Sequence, residues 1–375
     1  MKIPILAFTQ HNYATAIRQA LGRGYDHAAL VYAEWFRTGQ VTGAHPAFNT
    51  AKKLFEEILN ITDFTLPPIA SSLKQDTIEK FLLKVPSSEA GKVLEIESVV
   101  ISMKFGWSLC VSSQVGCRMG CTFCQTGRMG LIRQLTTEEI VAQLFTAQRV
   151  LGYNIRNVVF MGMGEPLDNF DAVMRAVEVM TDPAGCGLGK SHITISTSGR
   201  VDGIRRLIQE ADPAINLALS VNAPNDVIRT QIMPLNRKYN MAALRQVLEE
   251  YCAHPRRSVL VEYVMLQGIN DSLQSADELA SYLQGLRVKI NLIPYNAQKP
   301  DRYQPPSPED LQAFALRLRQ KGYYTLLRIT KGHQIMAACG QLGNIALKKS
   351  LISSPVKSPL EIATGQILPE EAREV

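Results

Sequence analysis

From about residue 105 onward, short β-branched or apolar runs alternate with stretches whose apolar residues recur at helical spacing. The runs 108–112, 157–162, 192–197, 215–221, 258–266, 288–294 and 323–330 predict strands. Between them lie helix starts. Thr136 followed by Glu139 forms a capping box, and Ile140, Leu144, Ala147 and Leu151 then make one apolar face. Ser307 followed by Pro308 caps another helix, with proline at its first position. Strand–helix repetition of this kind predicts a parallel sheet covered by helices, open or curled towards a barrel. About six such units fit between residues 105 and 331. Ligands of such sheets bind at the carboxyl ends of the strands.

The first ~95 residues read differently. Segments 13–21, 28–37 and 51–59 have helical periodicity, with no strand expected between them. A small helical domain over 1–95, a core over 96–343 and a loosely ordered tail over 344–375 follow. No internal repeat is visible.

Composition narrows the class only a little. The 375 residues are 46% apolar and 20% charged, which excludes disorder for the bulk of the chain. No apolar run approaches the ~18–20 residues needed to cross a bilayer, and the opening apolar stretch is too short for a signal-peptide core. A soluble, cytoplasmic protein without membrane contact is expected. The net charge of +6 arises downstream of residue 100, because the first 100 residues carry 10 basic and 10 acidic side chains. This balance permits a polyanionic partner without requiring one. Arg128, Arg133, Arg237, Lys238, Arg302, Arg328 and Lys331 are candidate phosphate contacts.

Cysteine usage changes the picture more. There are seven, an odd number, and three fall within eight residues: Cys117, Cys121 and Cys124. Metal or redox chemistry in a reducing compartment fits this better than a disulfide framework. Cys117-Arg-Met-Gly-Cys121-Thr-Phe-Cys124 can wrap one soft metal centre from a single tight loop, with Gly120 helping the turn. Zinc requires four ligands, and no fourth Cys or His follows at zinc spacing. An iron–sulfur cluster tolerates three protein ligands when another group takes the fourth iron.

The C-x₃-C-x₂-C pattern, with Phe123 before the last Cys, resembles the radical SAM superfamily. Gly162-Met-Gly164-Glu165-Pro166 is similar to that superfamily's GEP element, where a carboxylate accepts hydrogen bonds from the methionine ammonium. Narrower resemblance lies in Cys110-Val-Ser-Ser-Gln-Val-Gly-Cys117, Ile193-Thr-Ile-Ser196-Thr-Ser198-Gly199 and Ser220-Val-Asn-Ala-Pro. Asn291-Leu-Ile-Pro-Tyr-Asn296 and Ala337-Ala-Cys339-Gly-Gln-Leu342 complete it. In order and spacing, residues 90–343 resemble the RlmN/Cfr methyltransferases.

The resemblance implies a partial (β/α)6 TIM-like barrel with a small helical N-terminal accessory domain that adds RNA contacts. It implies a [4Fe-4S] cluster on Cys117, Cys121 and Cys124, and two S-adenosylmethionine (SAM) molecules per turnover. Gly164, Glu165, Ser196, Ser220, Val221, Asn222 and Asn296 match the family's SAM-binding positions. One SAM would methylate Cys339, and the other would yield the radical that takes a hydrogen from that methyl group. The methylene radical would then add to carbon 2 of an adenine, giving a protein–RNA adduct. Glu97 matches the proton acceptor, and Cys110 would release the product by a transient disulfide with Cys339. The implied substrate is large-subunit (23S) rRNA, with tRNA a second candidate, and the implied electron donor is a protein such as flavodoxin. A monomer is expected.

Read without the family, these residues have plainer alternatives. Cys110 reads as a core thiol, Glu97 as a solvated strand carboxylate, and Cys186 and Cys252 as inert. Two departures from the family pattern stand out. Asn222 occupies a position where most members carry His, and Lys331 and Gln334 replace Arg and Asp before Cys339. A paralogue acting at adenine C8 or on another RNA therefore stays open, as does an iron–sulfur RNA-binding protein without turnover.

Overall fold

The computed structural model describes residues 2–89, 91–297, 301–328 and 340–343. The chain opens with β1 (Ile3–Pro4), α1 (Gln10–Leu21), α2 (Tyr25–Thr38) and α3 (Lys52–Ile61), and β2 (Thr62–Asp63) pairs with β1. The three helices coincide with the three periodic segments. Trp35 and Phe36 of α2 carry this unit onto the rest of the molecule by packing against Phe145, Trp35 stacked at 5.1 Å and Phe36 edge-on.

Beyond residue 68 the expectation of a helical domain reaching residue 95 is overturned. Residues 69–103 form three antiparallel strands, β3 (Ile69–Gln75), β4 (Ile78–Pro86) and β5 (Val93–Met103), which join β6 (Gly106–Cys110) in one sheet. The cause is legible in β4. Phe81, Leu83 and Val85 are buried at every second position, a period of two that only a strand can present to one side.

The expected α/β architecture follows. The order is β6, β7 (Gln114–Cys117), α4 (Gln125–Met129), β8 (Gly130–Gln134), α5 (Thr137–Phe145), β9 (Ile155–Phe160) and α6 (Phe170–Thr181). Next come β10 (Ile193–Thr197), α7 (Val201–Glu210), β11 (Asn216–Ser220), α8 (Asp226–Ile232), α9 (Met241–Cys252) and β12 (Val259–Met265). The last elements are α10 (Leu273–Leu283), β13 (Val288–Pro294), α11 (Pro308–Gln320) and β14 (Thr325–Leu327). Strands β6, β9, β10, β11, β12, β13 and β14 are parallel and neighbour one another in sequence order, so each crossover advances one place. A right-handed path repeated six times keeps its helices on one side and leaves the other side of the sheet for a site. This is the partial barrel of the radical SAM type. Each of the seven periodic runs overlaps one of these strands, and residues 329–330 of the last run lie outside the described residues. The capping box at Thr136 and the Ser307–Pro308 start are both present.

One helix side chain pins the first turn after β6. Gln143 of α5 is fully buried, accepts from Ser98 Oγ and the Ser112 N–H at 2.8 Å, and donates to the Ser112 carbonyl at 2.9 Å. Among the described residues no helix is long and apolar enough to cross a membrane.

Candidate active site

The three clustered cysteines follow β7 on a loop that closes into α4. Cys117 ends β7, Gly120 adopts φ +70°, and Cys124 is the N-cap residue of α4. Thr122 anchors the loop from outside. Its N–H donates to the Ile232 carbonyl at 2.9 Å, and its hydroxyl meets the Tyr303 hydroxyl at 2.7 Å. Burial pushes the Cys117 thiol well up and the Cys121 thiol up to about 12, so bare thiols here are neutral and iron binding releases protons.

These cysteines line one wall of a pocket with an enclosed volume of about 150 Å³. The opposite wall comes from the carboxyl ends of β9, β10 and β11: Gly164, Glu165, Ser196, Ser198, Ser220 and Asn222. Glu165 is 2% exposed. Its Oε2 accepts from the Ser198 N–H at 2.7 Å and hydroxyl at 2.8 Å, and its Oε1 from the Leu167 N–H at 3.2 Å. Its own N–H donates to Gln114 Oε1 at 2.8 Å. Burial raises its carboxyl above the ordinary range, with those hydrogen bonds opposing. Gly164 has φ +108°, and a Cβ there would fall 2.6 Å from that of Gln114, so the strand end can approach β7 this closely only as glycine.

Three soft thiol donors, a buried carboxylate and short polar side chains in one pocket suit a cluster that leaves one iron for the amino and carboxylate groups of SAM. Among the described residues no group of three His, Cys, Asp or Glu is set to hold a single metal ion. The donor set fits the group the sequence implies.

Not every expected SAM residue meets the pocket. Val221 is fully buried beneath it, where its carbonyl accepts from Arg229 Nε at 3.1 Å. Asn296 is buried next to Tyr295, and it is Tyr295 that lines the wall. Asn222 lines it in the left-handed conformation, φ +57°, while its Oδ1 accepts the Val264 N–H at 2.8 Å. Asn is one of the few residues at ease there, and its amide holds β12.

Of the remaining expected residues, Glu97 and Cys110 lie on neighbouring strands, β5 and β6. Cys110 and Glu97 are both 7% exposed, so Glu97 is not the solvated carboxylate that its surroundings in the sequence suggest. Val99 pairs with Cys110, which puts Glu97, two residues earlier, on the same face of the sheet as that thiol. Cys339 lies outside the described residues, as do Lys331 and Gln334. The residues that follow it are placed. Gly340 lines the pocket with the three cysteines, and its carbonyl accepts the Gln125 N–H at 2.8 Å. Thr126 donates its hydroxyl to the Leu342 carbonyl, and the Gly343 N–H donates to Glu97 Oε1 at 2.8 Å. Cys186 and Cys252 are outside this pocket.

Several residues here carry no motif. Glu262, 4% exposed within β12, lines the pocket and accepts from Asn291 at 3.1 Å; burial raises its carboxyl. A lone carboxylate inside the apolar run Val-Leu-Val-Glu-Tyr-Val was its one signal. Arg229, fully buried, donates to the Ser198, Ser220 and Val221 carbonyls and to Asn236, stitching two strand ends together beneath the pocket. Two expected phosphate contacts are instead committed to the fold: Arg128 pairs with Asp301 at 3.0 Å and Arg133 with Glu139 at 2.7 Å.

The chain matches the radical SAM superfamily over residues 111–280. It is 52% identical over 352 residues to the "Probable dual-specificity RNA methyltransferase RlmN 1" of Protochlamydia amoebophila, covering 93% of this chain and 97% of that protein. It is 38% identical over 315 residues to the dual-specificity RNA methyltransferase RlmN of Bdellovibrio bacteriovorus, covering 83% and 77%. Among solved structures, a radical SAM methyltransferase from Sphaerobacter thermophilus superposes with a TM-score of 0.82 at 34% identity, over 90% of this chain and 98% of that one.

Proposed function

The chain belongs to the RlmN family of dual-specificity RNA methyltransferases, and we propose that it methylates carbon 2 of an adenosine in 23S rRNA and in tRNA through a methylated Cys339. It is a SAM-dependent RNA methyltransferase of the radical SAM type, with a [4Fe-4S] cluster and SAM as cofactors. Carbon 8 chemistry and an RNA-binding role without turnover give way to this reading. The relatives reported are named RlmN methyltransferases, and Glu97 shares a sheet face with Cys110, as a proton acceptor and a resolving thiol would need.

One observation carries the residue assignment. The segment following Cys339 is fastened at three points, to α4 through Gly340 and Leu342 and to Glu97 through Gly343. Gly340, adjacent to Cys339 in the chain, borders the pocket of the three cysteines, and Glu97 shares a sheet face with Cys110.

In this reading Cys117, Cys121 and Cys124 hold the cluster, and Glu165 with Ser196, Ser220 and Asn222 holds the SAM. When bound, the cluster and SAM supply the electron and the radical that activate an otherwise inert methyl group. The protein side chains do the rest. Cys339 receives a methyl group from a first SAM and presents it to the adenine, a second SAM being consumed in each turnover. Glu97 takes the ring proton. The Cys110 thiolate attacks the Cys339 sulfur, forming an S–S bond as the C–S bond to the product breaks. The target base has to leave its stack to expose carbon 2. The N-terminal helices would add backbone contacts to the RNA, with the enzyme acting as a cytoplasmic monomer supplied by a small electron-transfer protein such as flavodoxin.

The test is mass spectrometry of the Cys339 peptide from protein isolated anaerobically with iron, before and after reaction with RNA. A methyl group on Cys339 and methylated C2 in the RNA are expected, and Cys339→Ala should abolish both. RNA methylation that persists in Cys339→Ala would overturn the assignment.

A further inference from the structure

If Glu97 takes the adenine proton, as the reading above holds, it has to be ionised before the substrate arrives. The sheet provides a partner for this that no motif marks. Lys80 lies on β4 with its Nζ 3.2 Å from Glu97 Oε2, and the two side chains are only 10% and 9% exposed. Lysine is almost never buried unless paired.

The register makes the arrangement specific. Lys80 pairs with Val99 on β5 and Val99 pairs with Cys110 on β6, while Glu97 sits two residues before Val99. Lys80, Glu97 and Cys110 therefore occupy one face across three adjacent strands. The two carboxylate oxygens are used differently. Oε1 accepts the Gly343 N–H, whereas Oε2 is buried without a hydrogen bond among the described residues and faces the Lys80 ammonium. Glu95 and Lys84 form the next pair on the same face, towards the ends of β5 and β4. Ser112 adds only a hydroxyl, which donates to the Glu97 main-chain carbonyl at 2.6 Å.

We propose that Lys80 is the positioning residue that keeps Glu97 ionised and aimed, with Oε2 on the ammonium and Oε1 on the segment that follows Cys339. A buried carboxylate without a cation takes up a proton, because burial disfavours the charged form, and a protonated Glu97 has no room for the ring proton. In the step served, the C2–H bond of the adduct breaks, its electron pair stays with the ring, and the proton ends on Glu97.

The experiment is single-turnover methylation of RNA by the iron-loaded enzyme between pH 6.5 and 9.5, for wild type, Lys80→Met, Lys80→Arg and Glu97→Gln. At pH 7, Lys80→Met should be slower by about tenfold or more, since a buried carboxylate without a cation beside it is less readily ionised. The sign is fixed: the rate of Lys80→Met should approach that of wild type as pH rises, because higher pH favours the ionised carboxylate. Lys80→Arg should retain the wild-type profile. Methylation of Cys339, which precedes the proton step, should be equal in all four. A Lys80→Met profile parallel to wild type, or one lowered by the same factor at every pH, overturns the proposal and leaves Lys80 a structural partner. Full activity in Glu97→Gln removes the role of Glu97 itself. Should Lys80→Met fail to retain its cluster, Lys80→Gln gives the same reading with a neutral donor in place.

Discussion

Asn222 shows how a single residue here serves the fold and the pocket together. Its backbone sits at φ +57° and its side chain holds the Val264 N–H, while its own carbonyl accepts from Asn270 at 2.8 Å. Replacing it by Ala removes the partner of the part-buried Val264 N–H and puts a residue without the local hydrogen bonding of Asn into the left-handed region. Asn222→Ala should therefore cost on the order of 2–4 kcal/mol in urea unfolding of the apoprotein. Asn222→Gly keeps the backbone at ease and should cost about 1–2 kcal/mol less. Equal losses would mean that the backbone conformation is not what the Asn provides. From the sequence, the departure from the family His read as a change at a SAM contact. The structure shows that the Asn amide is bonded to β12, a partner 42 residues away, which no local pattern records.

Among the elements, α5 links the N-terminal helices to the turn before the cysteine strand. Its capping box starts it, its apolar residues are buried, and its Phe145 receives the N-terminal helices. Gln143 on the same helix satisfies both main-chain groups of Ser112, at the turn between the strand of Cys110 and the strand of Cys117. Gln143→Leu fills the space but leaves these buried groups unpaired. A loss of about 2–6 kcal/mol in urea unfolding is expected, from ~1–3 kcal/mol for each orphaned group. If stability is unchanged, the turn is held by something other than Gln143. The helix itself was legible from its cap and its 3.6-residue period. Gln143 read as an ordinary polar position, because sequence periodicity does not reveal that a glutamine points inward at a bare turn.

For the whole molecule, the unit that carries the site begins at the antiparallel strands rather than at residue 96. Lys80 and Glu97 face each other across β4 and β5, and β5 would be an unpaired edge without β4. A chain starting at Pro67 should stay free of aggregates by sedimentation and assemble its cluster, although it exposes the Trp35 contact on Phe145. A chain starting at Ile96 should aggregate and lose the cluster absorbance. If both behave alike, the strands are dispensable and the boundary expected at residue 95 stands.

By itself the sequence determined the repeating strand–helix order, the helix caps, the cysteine loop and the Gly-Glu-Pro turn. Each is a local pattern: a period of two or of 3.6, a cap three residues from its partner, thiols within one loop. The three antiparallel strands also had their period of two, at Phe81, Leu83 and Val85, but nothing local said which strand they would join. Tertiary structure alone decided that Lys80 meets Glu97, that Glu97 holds Gly343, and that Arg229 ties two strand ends below the pocket. Apart from the clamp of Arg229, these contacts join residues 17 and 246 positions apart. Their worth depends on burial, since the same charges in water would contribute little. Such chemistry exists only once the sheet has closed over it.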